Sequence, residues 1–226
     1  MQIANTLRCG VGLLSLSLLL GALGAAEPEV TLVKEGRSGF VILHAPLAPA
    51  SVRTAATELQ HYLEKATRAK IPVVTNDAPS PFIALGDTTV ARAAGIVARD
   101  VPLEGFRIVS RDGNLFIVGP DTGDGEKTRQ GGTSAGTLNG VYSFIEDYLD
   151  VRWLLPGEMG EDAPQRSTVL IPAIDRTNQP VFLNRRLPGV QNSQPAVQQW
   201  SQRQKLGYSM QLEHSHNWQQ IGRAHV

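Results

Sequence analysis

Near the C-terminus, two imidazoles and an indole fall within seven residues, in Leu212-Glu213-His214-Ser215-His216-Asn217-Trp218. With Met210 to His214 as a strand, His214 and His216 lie two positions apart and leave the same side of it. Such a group has three chemical uses. Imidazole nitrogens ligate a metal, ring N–H groups hydrogen-bond the hydroxyls of a sugar, and an indole face stacks on a sugar ring. A zinc-type site needs further His or carboxylate ligands. None is visible nearby, so no metal and no cofactor is expected. A plain structural cluster at a strand end is the competing reading.

Other residues invite chemistry less strongly. Glu146, Asp147 and Asp150 are carboxylates on the outer side of an apolar helical stripe and read as a solvated helix face. Glu158 and Glu161 flank a Pro-Gly turn, but nothing in the sequence sets either against a partner acid. The loop Asp121 to Ser134 leads toward a helix with Gly131, Gly132 and Gly136, which suggests a phosphate cradle. It lacks both the Gly-Lys-Ser/Thr ending and the G-x-G-x-x-G spacing. Asp121 and Asp124 suggest calcium, but the EF-hand spacing and its closing Glu are missing. A flexible surface loop is the better reading.

The elements that must position these groups are legible from pattern. Val30 to Pro46 reads as two short strands joined by a Gly-containing turn. Val52, Ala55, Ala56, Leu59, Tyr62, Leu63 and Ala66 follow helical spacing, with Ser51 as the cap. Ile71 to Thr75 is a strand that Pro72 confines to an edge or a strand start. Pro81 to Asp87 is a short buried strand, and a short helix follows over about Thr88 to Ala94. Gly105 to Gly119 is a hairpin around Asp112-Gly113, the pair suited to a type I′ turn. The next helix carries Leu138, Val141, Ile145, Tyr148 and Leu149 on one stripe. The hairpin excludes a purely parallel sheet. The prediction is therefore an α+β fold built in α/β layers, a mixed sheet covered by helices, ending near Ile174.

Composition narrows the function classes. With 21 basic and 21 acidic side chains, the chain has no electrostatic footprint for nucleic acid or an anionic membrane. At 42% hydrophobic and 19% charged it is globular rather than disordered. Arg8, the apolar run Val11 to Leu20 and the small residues Gly24-Ala25-Ala26 read as an export signal over residues 1–26. The competing reading is an uncleaved anchor. The only cysteine, Cys9, leaves with the signal, so the mature chain has no thiol. A periplasmic or secreted protein is expected, with no membrane attachment after cleavage.

The segment Gly136 to Pro164, "GTLNGVYSFIEDYLDVRWLLPGEMGEDAP", resembles the G-T-L-Y-G-V-Y-x-F-L-E-x-x-L-G-V-R-W-x-x-P-G-E-x-G segment of a family of secreted bacterial glycosidase-like proteins. "RTAATELQHYLEKATRAKIPVV" is similar to that family's first helix and strand, with Arg68 where the family has Gly; Asp150 replaces a second Gly. Both replacements predict looser helix ends. The resemblance implies the layout of α-glucuronidases and β-hexosaminidases: a non-catalytic N-terminal α/β domain over residues 27–175, then a TIM barrel beginning within 176–226. It implies that "PVFLNRRLPG" is the first barrel strand, with Arg185 contacting sugar hydroxyls and Arg186 pointing the other way. Met210 to His214 becomes the second strand, delivering His214, His216 and Trp218 to the barrel's active face.

A TIM barrel takes about 250 residues, and far fewer follow Ile174. The catalytic pair of carboxylates would come from later strands. The last six residues, "IGRAHV", match a translated sequencing adapter and are expected to be foreign to a longer natural protein. The expectation is an exported glycoside-hydrolase-like protein whose partner is an oligo- or polysaccharide, inactive as this fragment. Two alternatives stay open: a non-catalytic glycan-binding or scaffold protein, and a metal-dependent hydrolase using the His-x-His pair.

Overall fold

The computed structural model describes residues 30–75, 78–187 and 194–210. In chain order the elements are β1 (Val30–Val33), β2 (Val41–His44), α1 (Ala50–Thr67), β3 (Val73–Val74), β4 (Phe82–Leu85), α2 (Thr89–Ala93), β5 (Phe106–Arg111), β6 (Asn114–Val118), α3 (Gly136–Leu149), β7 (Arg152–Trp153), β8 (Glu161–Asp162), β9 (Val169–Ile171), β10 (Asp175–Asn178), β11 (Asn184–Arg185), α4 (Pro195–Arg203) and β12 (Gly207–Tyr208).

A six-stranded sheet in the order β10-β5-β6-β4-β2-β3 forms the middle layer. β3, β2, β4 and β6 run parallel, whereas β5 and β10 are antiparallel additions, which makes the mixed sheet that the hairpin demanded. Asp112 and Gly113 take φ of 51° and 74°, so Arg111 pairs with Asn114 across a two-residue turn. β4 and β6 are buried along their whole length because both sheet faces are covered. α1 and α3 pack on one face, over Ile42, Ile83, Leu85, Ile108, Leu115 and Ile117. α2 closes the other through Ala91, which packs with Leu43, Phe82, Val109 and Phe116. Each such side chain contributes roughly 1.5–3 kcal/mol.

The structure corrects several local expectations. β1 and β2 do not pair with each other. A turn does form, with Lys34 and Arg37 exchanging backbone hydrogen bonds at 2.8 and 3.0 Å, but β2 then enters the central sheet between β4 and β3. Both edges of β2 are thereby occupied, and β1 pairs instead with β9 in a separate antiparallel sheet. Ser51 does not cap α1. The helix begins at Ala50 after Pro49, without a cap from a neighbouring side chain. Its first N–H donates instead to Asp124 Oδ1, at 2.6 Å and 74 residues away in sequence. The helix ends that lack glycine are not loose: Arg68 and Asp150 both adopt the left-handed conformation, at φ of 65° and 59°. Arg68 N–H bonds Glu64 O at 2.7 Å, and the Asp150 carboxylate is held by Arg152 and Arg166. These bonds offset the ~1–2 kcal/mol that a side chain costs in that region.

The layered domain runs past Asp175, since β10 supplies the sheet's edge through Asn178. Beyond it, β11 pairs antiparallel with β12, Asn184 opposite Tyr208. The second barrel strand expected over Met210 to His214 is a different segment and, beyond Met210, lies outside the described residues. Arg185 is also tied back to the layered domain, which favours the short antiparallel ladder. No described helix is long and apolar enough to cross a membrane.

Candidate functional site

Four residues carry the sugar-site expectation. His214, His216 and Trp218 lie outside the described residues. Arg185 is described, and its guanidinium is fully engaged. It forms a half-buried ion pair with Glu104, donates from Nε to Lys205 O at 2.9 Å and from Nη1 to Phe182 O at 2.8 Å. Arg186 places its guanidinium 3.5 Å from the Tyr208 ring centroid. Among the described residues, no group of three or more His, Cys, Asp or Glu side chains is placed to hold a metal ion.

The most elaborate polar constellation lies between α1, α3, β7 and α4. The amphipathic stripe of α1 carries Tyr62 inward, and α3 presents Tyr142 beside it. β7 inserts Trp153 between them: its ring centroid is 5.2 Å from that of Tyr62 and 5.4 Å from that of Tyr142, both edge-on. Trp153 Nε1 donates to Tyr62 Oη at 2.8 Å, and Tyr62 Oη donates to Glu161 Oε2 at 2.6 Å. Lys65 pairs with the other oxygen of Glu161. Arg203, from the last turn of α4, joins two carboxylates: Nε to Glu58 Oε2 at 3.1 Å and Nη1 to Glu161 Oε2 at 3.4 Å. Gln199 donates to Glu58 at 3.2 Å, while Trp200 Nε1 and Gln204 Nε2 both donate to Trp153 O, at 3.0 and 2.6 Å. A cleft of about 720 Å³, lined by His61, Lys65, Glu158, Glu161, Gln199 and Arg203, opens beside the cluster.

Electrostatics follow from this packing. Burial, and then the bond to Glu161, push the Tyr62 phenol well above its ordinary range. Burial and the charge of the neighbouring Glu58 do the same to Tyr142. Burial acts to raise the Glu161 carboxyl, but the bonds from Lys65 and Tyr62 outweigh it and hold the group below its usual value. Glu161 is therefore held as a carboxylate, and Tyr62 and Tyr142 as neutral phenols.

Three acids of the candidate set are thus used differently from expectation. Glu161 is an ion-pair centre that shares Arg203 with Glu58. Glu146 pairs with Lys205 and Asp147 with Arg176, so the outer face of α3 is bridged to other segments rather than simply solvated. Sequence pattern does not single out Glu58 or Arg203, and it places Tyr62 only in the apolar stripe of α1. One signal was available: Glu58 stands four residues before Tyr62 on the buried stripe of α1, where a charge needs a partner.

The Gly-rich loop is neither free nor a phosphate cradle. A Cβ on Gly132 would run into the main chain of Tyr208 and Ser209, and Thr133 N–H donates to Tyr208 O at 2.8 Å. Gly136 faces Gly105 and Gly119, so that α3 meets the end of β6 backbone to backbone. The space that an anion would need is filled by the chain itself. Asp121 and Asp124 bind helix starts, not calcium: Asp121 Oδ1 accepts from Thr137 N–H at 3.2 Å.

Burial pushes the Asp121 carboxyl up to about 6, with the bonds from Thr137 and Ser51 opposing it. Its folded pKa thus exceeds the ordinary 3.8. The ionised form is the disfavoured one, so this group's cost is absent below about pH 4, grows up to about pH 6 and is constant above. Asp121→Asn, which keeps an acceptor and removes the charge, should therefore gain stability over the parent as pH rises through this window, by about 2–3 kcal/mol at pH 7. Urea denaturation from pH 4 to 7 checks it. A stability difference that is flat with pH, or one that grows toward acid, would contradict the assignment.

No family model and no curated protein sequence matches the chain. Several solved structures are similar in part. A GH115 4-O-methyl-alpha-glucuronidase with specificity for decorated arabinogalactans is 19% identical, with a TM-score of 0.44, over 66% of this chain and 18% of that one. The GH20 beta-N-acetylhexosaminidase from Streptomyces coelicolor A3(2) is 17% identical at a TM-score of 0.41, over 71% and 26%. A GH20 exo beta-N-acetylglucosaminidase from Vibrio harveyi is 10% identical at 0.37, over 71% and 18%. The chain spans about a quarter or less of the length of these structures.

Proposed function

We propose that this chain is the N-terminal part of an exported glycoside-hydrolase-like protein. The layered domain is its non-catalytic unit, and the residues after β10 lead toward a TIM barrel that carries the chemistry. One observation supports this reading above others. The segment that resembles the glycosidase-like family, α3 through β7, is among those to which the following residues attach: Trp153 O accepts from both Trp200 and Gln204. Its conspicuous Arg-Trp pair then has a physical reason, as a joint between two units. The substrate class, a uronic-acid- or amino-sugar-containing glycan, follows from the resemblance alone.

In this reading residues 1–26 direct export, and the catalytic carboxylates belong to strands beyond this chain. Sugar contacts fall to His214, His216 and Trp218, and to Arg185 only if its guanidinium leaves Glu104. The test compares the purified 226-residue chain with the product of the gene extended past codon 226. The substrates are aryl α-glucuronides and aryl N-acetyl-β-hexosaminides. Turnover by the extended product and none by the short chain is expected. Turnover by the short chain, or an extended gene without further alternating strands and helices, overturns the proposal.

A further inference from the structure

We infer that Glu58, Tyr62, Tyr142, Trp153 and Glu161 form a guanidinium-binding cage whose resident ligand is Arg203, and that filling this cage holds residues 194–210 on the domain. The inference is independent of any carbohydrate activity.

The walls belong to the domain. Tyr62 and Tyr142 are fully buried, Trp153 is 4% exposed, and all three pack in the main core. Their edge-on arrangement is set by α1, α3 and β7 rather than by α4. The ligand comes from outside that core: no residue of α4 is fully buried, and Trp200, partly buried, is the side chain that α4 packs against the core. The rest of its attachment is polar. Arg203 nonetheless reaches deep, its side chain 11% exposed between carboxylates that are 10% and 9% exposed. Its guanidinium carbon lies 5.3 Å from the Tyr62 ring centroid and 5.5 Å from that of Trp153, within cation–π range.

The site selects a planar fork over a point charge. Nε and Nη1 address two different carboxylates while the guanidinium carbon stays within reach of the Tyr62 and Trp153 rings. An ammonium cannot satisfy that geometry. Among the described residues, the Glu58 carboxylate takes its hydrogen bonds from Gln199 and Arg203, both on α4. Glu161 keeps Tyr62 and Lys65 without α4. Lifting α4 therefore leaves an aromatic recess whose Glu58 carboxylate has lost both donors from α4 and keeps only the neighbouring Tyr142 hydroxyl. That recess should accept any small alkylguanidinium.

The test removes the resident ligand from the full chain with Arg203→Ala and adds methylguanidinium well below denaturing concentrations. The variant should melt at lower temperature and lose hydrogen-exchange protection in residues 194–210 while the sheet stays protected. Methylguanidinium should bind saturably, shift tryptophan emission and restore part of the melting temperature. Methylammonium should do none of these, the unsubstituted protein should not respond, and adding Glu58→Gln should abolish the response. An absent response, an equal response to methylammonium, or retained protection of 194–210 overturns the inference. If Arg203→Ala does not fold, Arg203→Gln carries the same titration. Failure of both to fold also overturns it, since the cage would then not be preformed.

Discussion

Replacing Trp153 with alanine should cost about 3–5 kcal/mol, the range for truncating a large buried aromatic residue. The side chain is 4% exposed and touches the rings of Tyr62 and Tyr142. Truncation opens a space between two residues whose own positions are fixed by α1 and α3, so little can collapse into it. The Tyr62 hydroxyl also loses the donor that holds it at 2.8 Å. At roughly 2–4 °C per kcal/mol for a chain of this size, the melting temperature should fall by about 10 °C or more. Trp153→Phe separates the two contributions. It keeps an aromatic ring but removes the Nε1 donor and part of the ring volume, so its cost should be about 1 kcal/mol from the hydrogen bond plus the volume lost. Chemical denaturation of both variants measures the difference. Equal losses would mean that the hydrogen bond, not the ring packing, is what matters there.

A second large effect is expected from a smaller change. Gly136→Ala adds one methyl group and removes a glycine from a helix, which alone favours the helix by up to about 1 kcal/mol. The net effect should still be a loss of about 3 kcal/mol or more. A Cβ at Gly136 would lie 2.9 Å from Pro120 Cδ and 3.0 Å from Gly119 Cα, and closer still to Gly105 O. These are main-chain and ring atoms, which cannot swing aside as the end of a long side chain can. Relief requires α3 to lift from the strand end, and with it Thr137, whose Oγ1 accepts from Gly119 N–H at 3.1 Å. Overpacking in a deformable core costs about 1–3 kcal/mol, and this contact is less deformable. Gly39→Ala is the control: a Cβ there meets nothing within 4 Å, so its effect should stay within about 0.5 kcal/mol. Comparable losses in the two variants would show that the close approach at Gly136 is unimportant.

Local pattern was enough for the layers. The Asp112-Gly113 pair specified its own turn, and the stripe from Val52 to Ala66 named the buried face of α1, because both signals are contained within a few residues. Long-range pairing was not legible. Glu58 and Arg203 are 145 residues apart, and periodicity assigns each to a polar class without saying that they meet. The edge strand β10 went unread because Asp175 to Asn178 has no alternating apolar side: none of its residues is buried. The left-handed ends at Arg68 and Asp150 were misjudged for a related reason. Glycine is the cheap way to make such a turn, but hydrogen bonds and ion pairs from elsewhere can sustain it without glycine.

Neither of the two long helices supplies its own starting residue. Asp124 receives the first N–H of α1, and Asp121 receives an N–H of α3, so a single loop completes both. The order of synthesis gives this arrangement a temporal meaning. α1 leaves the ribosome well before the loop, and its opening turn must stay frayed until residue 124 emerges. α3 follows directly behind the loop and can close at once. The two helices then settle together onto a sheet whose β6 is already made, and a protease cut anywhere between the two aspartates would undo the beginnings of both in one event.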